Sequence, residues 1–181
     1  MLYYLIAFCA IAGAYAQTME NGSCPSFRAS RINANQMVGK WYDWGRSSNN
    51  PLNGQRCGYD NWNQPSNGQS KLVQSAYSPF IGGWSQIVSD IKFYNDNQYT
   101  ISFEVPNVGS VSLNHAVLDT DYDSYVIYYQ CLNQGSTYTT SLWIKTRDQY
   151  PGSQVENQIR NTLARHGLSY VPVTRTSQQN C

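Results

Sequence analysis

With 181 residues, a formal net charge of +1 and 13% charged against 41% hydrophobic residues, the chain has room for one well-buried domain and not for two. Lys and Arg are scattered without a basic run, which argues against nucleic acid or an anionic membrane as partner. The 15 Tyr and 5 Trp among many Ser, Asn and Gln suit half-buried strands and aromatic-lined pockets better than long surface helices.

Residues 1–16 are nearly all apolar and end in Ala14-Tyr15-Ala16, a small-x-small cleavage signal. They predict a secretory signal peptide, with a single domain over 17–181 that is soluble and extracellular. The run falls short of the roughly 20 apolar residues that a membrane span needs, and no later stretch reaches it. A sequon, Asn21-Gly22-Ser23, marks Asn21 for glycosylation. Once Cys9 leaves with the signal, Cys24, Cys57, Cys131 and Cys181 remain. An even count in a secreted chain predicts two disulfides, with three connectivities open. No pair has C-x-x-C spacing, so no metal site is expected.

The first strand is centred on Val38-Gly39-Lys40-Trp41-Tyr42-Asp43-Trp44, whose alternation buries Trp41 on one face. After Arg46, Ser47 to Gly54 is turn chemistry. Further strands are predicted over 57–62, 71–77, 84–93, 99–105, 111–118, 125–131 and 141–146, with turns between them at 64–68, 95–97, 106–109, 119–124 and 133–135. Eight strands at near-regular spacing predict an all-β fold, an eight-stranded antiparallel up-and-down barrel. Ser153-Gln154-Val155-Glu156 reads as a capping box, and Val155, Ile159 and Leu163 share a helical face before Gly167. One α-helix is therefore expected outside the barrel, with His166 as an exposed cap at its end and a final strand over 168–173.

Gly39-x-Trp41, Thr120-Asp121-Tyr122 with Tyr125, and Arg147 resemble, in order and separation, the three motifs of the lipocalin family. The resemblance spans the mature chain. It implies a calyx closed at one end by Gly39, Trp41, Asp121 and Arg147, with the Arg147 guanidinium over the Trp41 ring. The cysteine layout, with Arg56-Cys57-Gly58-Tyr59, Tyr128-Tyr129-Gln130-Cys131 and the tail Tyr170-Val171-Pro172-Val173, is similar to arthropod bilin-binding proteins and crustacyanin subunits. That similarity implies the pairs Cys24–Cys131 and Cys57–Cys181. The leader departs from the group's Asn-Phe-Asp, reading Ile32-Asn33-Ala34-Asn35.

Strand parity names the lining. Counting back from Arg147 puts Lys145, Trp143 and Ser141 inward; Lys145 then needs an acid such as Asp60. Val126, Tyr128 and Gln130, His115 and Val117, Ile101, Phe103 and Val105, and Asp60 with Trp62 complete the inward set. The expected ligand contacts are Asp60, Trp62, Ile101, Phe103, His115, Val117, Tyr128 and Trp143. His115 and Asp60 read either as hydrogen-bond partners of a ligand or as a rim histidine and a strand-edge aspartate. Two histidines without a nucleophile or metal motif point away from an enzyme.

The resemblance implies non-covalent carriage of a small hydrophobic molecule, with biliverdin or a carotenoid first. One alternative is a secreted matrix or defensive protein acting through its Tyr-, Ser-, Asn- and Gln-rich surface. Another is capture of a fatty acid or a signalling amine, the amine relying on Asp60 and Glu104 as acids. Exposed Tyr and Trp would also suit a homo- or hetero-dimer.

Overall fold

The computed structural model describes residues 19–26, 32–50, 52–93, 98–105 and 107–181. The expected signal segment and the expected turn at 95–97 lie outside the described residues. Chain order gives β1 (Met19–Asn21), α1 (Ala34–Met37), β2 (Gly39–Ser47), β3 (Arg56–Trp62), β4 (Gln69–Ser78) and β5 (Gly83–Phe93). These are followed by β6 (Gln98–Val105), β7 (Gly109–Thr120), β8 (Tyr125–Gln134), β9 (Thr137–Thr146), α2 (Ser153–Arg165) and β10 (Val173–Arg175). Each strand from β2 to β9 pairs antiparallel with its successor, and β9 returns to β2, which closes an eight-stranded barrel. All eight expected strands form, most of them a few residues longer than their apolar alternation.

Two short strands extend the sheet. β1 lies along the start of β9, with Met19 opposite Thr139; three residues are too few to show a period. β10 pairs with β2, Val173 opposite Ser47, rather than running over 168–173 as expected. The cause is the end of α2: the Leu168 N–H donates to the Leu163 carbonyl at 2.8 Å, and Leu168, wholly buried, caps the helix's apolar face. The chain straightens only after Pro172.

Two cores share the barrel wall. Trp41, Trp62, Leu72, Ile91, Val117 and Val126 point inward with Met37 beneath them. Leu118, Ile127, Leu142 and Ile144 point outward against Ile159 and Leu163 of α2. Period 2 of the strands and period 3.6 of the helix thus meet as predicted. Each such side chain contributes about 1.5–3 kcal/mol through burial. The capping box, by contrast, does not form. The helix starts one residue earlier than that reading needs, with Gly152 at the N-cap and no side-chain cap bond. Glu156 instead pairs with Arg175 at 2.8 Å, a cation that also lies 4.0 Å over the Trp44 ring. His166 stands at the C-cap half-buried rather than exposed.

The lower end is closed by a short helix and an arginine. Asn33 caps α1 by accepting from the Asn35 N–H at 3.2 Å, and the Met37 carbonyl accepts from the Trp41 indole at 2.8 Å. The Arg147 guanidinium lies 3.7 Å over the Trp41 ring. It donates to the carbonyls of Gln36, Val38, Lys40 and Tyr122 at 2.8–3.1 Å. Gly39 has φ +98°, and a Cβ there would stand 3.4 Å from Arg147 Nη1, so the motif glycine answers both a left-handed backbone and the arginine. Asp121 Oδ1 accepts from the Ser124 and Tyr125 N–H groups at 2.8 and 3.0 Å, fixing the turn that feeds β8.

The disulfides are Cys24–Cys131 and Cys57–Cys181. The first holds the leader to β8; the second ties the last residue to β3. In addition, Gln178 donates to the carbonyls of Asp43 and Gly58 at 3.0 and 2.8 Å, so the tail is an ordered part of the wall.

Candidate functional site

Of the residues that strand parity placed inward, Trp62, Ile101, Val117, Val126 and Tyr128 share one buried cluster with Phe103 and Trp143 against it, and Asp60, His115 and Lys145 line a void beside them. Val105 and Gln130 border the gaps beside the β6–β7 hairpin instead. The floor is aromatic: Trp62 stands 5.7 Å from Tyr99 and 6.4 Å from Tyr128, ring centre to ring centre. Above it sits a buried ionic group. Lys145 donates to Asp60 Oδ1 at 2.7 Å and also pairs with Asp43, which in turn pairs with Arg46. All four are 2–3% exposed, and two acids balance two cations.

Asp60 is therefore engaged within the protein rather than standing at a strand edge. Burial and the neighbouring Asp43 charge push its carboxyl up against the pull of Lys145. For Asp43, burial also pushes up, but Lys145 and then Arg46 outweigh it and hold the carboxyl below its ordinary range. Burial alone would lower the Lys145 ammonium; its two acids raise it instead. Room for this group depends on Gly58, where a Cβ would collide with the Asp43 carboxylate. Asp43 and Arg46 did not stand out in the sequence. Asp43 shares Trp41's parity and was there to be read, whereas the bulge between Asp43 and Gly45 hides Arg46.

His115 stands above the ionic group at 7% exposure. Its ring lies 5.0 Å from Trp143 and stacks at 5.8 Å on Tyr99. Burial pushes its pKa down to about 4, so the ring is neutral through the physiological range. The unfolded chain binds the proton more readily, near pH 6.5. This group therefore contributes stability that is complete above about pH 6.5 and is lost as pH falls towards 4. The Leu113 carbonyl, 3.3 Å from Nδ1, favours the tautomer with the proton on Nδ1 and leaves Nε2 as an acceptor. Ser89, also inward, is wholly buried, and its hydroxyl has no hydrogen-bond partner among the described residues. Half-buried Trp143, Phe103 and Ile87 bound the space towards the open end.

The interior is nearly full. Two voids of about 30 Å³ each flank the ionic group and His115, enough for water and little more. Two larger spaces lie beside the β6–β7 hairpin, and another, about 450 Å³, lies along the C-terminal tail, away from the interior. β6 and β7 pair with each other over their whole length. Among the described residues, however, β6 pairs with β5 only at 99–102, and β7 pairs with β8 only from Ala116 downward. The outer half of the hairpin therefore stands away from both neighbours. One gap, about 530 Å³, reaches Ile87 and Phe103; the other, about 500 Å³, reaches Tyr99 and His115. Alternation persists along strands whether or not they pair, so these breaks were not legible in advance.

Residues 38–180 match the sequence profile of the lipocalin / cytosolic fatty-acid binding protein family. The chain belongs to that family. This lipocalin is 25% identical over 181 residues to apolipoprotein D of Cavia porcellus, covering 94% of this chain and 90% of the relative. In structure it is similar to insecticyanin from Manduca sexta, with a TM-score of 0.82 at 16% identity over 91% of both chains. It is also similar to lobster apocrustacyanin A1, with a TM-score of 0.71 at 17% identity over 90% of this chain and 92% of that one. At such identities the structural likeness establishes the fold and leaves the ligand to the site itself. Among the described residues no helix is long and apolar enough to cross a membrane, and no group of three His, Cys, Asp or Glu is placed to hold a metal ion.

Proposed function

We propose that this lipocalin is a secreted carrier of one small, conjugated hydrophobic molecule held non-covalently, a linear tetrapyrrole such as biliverdin or a carotenoid. The observation that carries this reading is the neutral, aromatic-walled space around His115, between Tyr99 and Trp143. Flat unsaturated molecules gain from aromatic walls, and a few buried polar groups orient them. His115 Nε2 and the Ser89 hydroxyl supply those groups, while Ile101, Phe103 and Trp143 supply the walls. Trp62, Val117 and Tyr128 form the floor, and Asp60 supports it from the ionic group.

The voids of about 30 Å³ are far below the several hundred Å³ that such ligands occupy. Binding therefore requires the β6–β7 hairpin to move and the gaps beside it to join the interior. The ionic group also bears on the ligand's charge. Asp60 is already matched by Lys145 and Glu104 is exposed, so neither stands ready for an amine. Lys145 and Arg46 are likewise spent on Asp43 and Asp60, so among the described residues no fully buried cation awaits a fatty-acid carboxylate. The two disulfides suit an oxidising, extracellular setting, and exposed Asn21 is open to a glycan. His115 touches a backbone carbonyl and aromatic rings rather than an acid, an arrangement for binding and not for proton transfer.

Trp143 provides the test. Titration with biliverdin or a keto-carotenoid is expected to quench the tryptophan fluorescence of the wild-type protein, and Trp143→Phe to lose a clear share of that quenching. Unchanged quenching in Trp143→Phe would remove the ligand from this site.

A further inference from the structure

The open end of the barrel carries a second feature, separate from the pocket. The β4–β5 turn holds Phe80 fully exposed and Ile81 at 68% exposure. Directly behind it on the outer face of β5 stand Trp84 and Val88, at 54% and 51%. On the neighbouring β6–β7 turn Val108 is 74% exposed. Residues 72–89 contain no charged side chain, nor do residues 105–114. The flanking charges cancel: Lys71 and Asp90 pair at 2.6 Å below the first hairpin, and Arg56, stacked 4.4 Å over Tyr77, offsets exposed Glu104. The gap between β5 and β6, rimmed by Asp90 and Glu104, runs inward to Ile87 and Phe103.

We propose that these two hairpin tips dock the protein on an electrically neutral lipid surface, with Phe80 and Ile81 entering the acyl boundary and Trp84 resting at its edge. Three observations select lipid over a protein partner. The apolar side chains project from a narrow turn rather than forming a flat patch, a shape that a soft phase accommodates and that a protein could meet only with a matching pocket. A tryptophan one step behind the tip occupies the level where indole rings favour a membrane interface. The lack of net charge removes both attraction to anionic headgroups and repulsion from them, which selects a zwitterionic surface. Docking brings the β5–β6 gap against the lipid, so an apolar molecule can pass between the two without crossing water. The docking itself holds whatever the barrel carries.

Flotation with phosphatidylcholine vesicles tests it. Wild-type protein is expected to float with the vesicles, with little change between low and high salt and with a blue shift of tryptophan emission. Phe80→Ser with Ile81→Ser is expected to bind about 10-fold more weakly, from the loss of two inserted side chains. Because Phe80 is fully exposed, that variant should keep the wild-type circular dichroism and melting temperature. Equal flotation of wild type and variant would overturn the proposal, as would flotation only on anionic vesicles with release by salt. Self-association that the double variant abolishes, without flotation of the wild type, would also overturn it by assigning the tips to a second copy of the chain.

Discussion

Replacing Lys145 with Met is expected to cost roughly 3–5 kcal/mol of stability at pH 7, because it removes one partner from a buried ionic group. Asp43 and Asp60 would remain at 2–3% exposure with only Arg46 to balance them. Only a water-sized void lies beside them, too little to solvate a free carboxylate, and the apolar Met contacts do not replace a charge. The loss has a defined pH dependence. Without the ammonium, Asp60, already raised by burial and the Asp43 charge, loses the pull that opposes them, and Asp43 loses the larger of the two attractions that hold it down against burial. A raised carboxyl harms stability only where it would otherwise be ionised. The deficit is therefore largest at pH 7 and shrinks as pH falls through the raised values towards the ordinary 3.8. Urea unfolding of wild type and Lys145→Met at pH 7 and pH 4.5 reads both features. Adding Asp60→Asn should recover part of the loss by removing the excess negative charge. A deficit under about 1 kcal/mol, or one that grows on acidification, would show that the group is hydrated and not a buried unit.

Arg147→Ala is expected to destabilise the fold by about 3–4 kcal/mol, and Arg147→Lys to recover less than half of that. The guanidinium bonds four backbone carbonyls drawn from α1, β2 and the turn before β8 while covering Trp41. Those carbonyls come from segments distant in sequence, so the loss should loosen the whole lower end together. One ammonium group has three donors and no flat face, and cannot reach four carbonyls while stacking on an indole. Hydrogen exchange should localise the change, with faster exchange at 34–41 and 121–125 and little at the β4–β5 hairpin. Full recovery by lysine would mean that charge alone, rather than the planar fork, holds the closure.

The parts of the fold that were legible in the sequence are those set by local periodicity. Alternation along 99–105 and 111–118 placed Ile101, Phe103, His115 and Val117 on one face, and spacing of Val155, Ile159 and Leu163 marked the buried side of α2. What escaped depends on remote pairing. β10 is defined by its position beside Ser47, which nothing within 173–175 reveals. Glu156 looked like a cap because of its offset from Ser153, yet Arg175, 19 residues on, claims it. For the site, the inward direction of Trp62, Ile101, Val117, Val126 and Tyr128 was readable, and so was the need of Lys145 for an acid. How tightly the interior is filled was not. That follows from the summed volume of Trp62, Phe93, Tyr99, Tyr128 and Trp143 inside one closed wall, together with breaks in pairing that no single strand encodes.

The central claim, carriage of a conjugated ligand in the barrel, is tested most directly by a visible absorption spectrum. The protein purified from its own source would be measured first, then the recombinant apoprotein with added biliverdin and with an added keto-carotenoid. A native band well beyond the aromatic ultraviolet, reproduced by one of these additions, is the expected result. A colourless native protein whose apoprotein shifts the spectrum of neither would contradict the claim and leave this lipocalin's function to its surface.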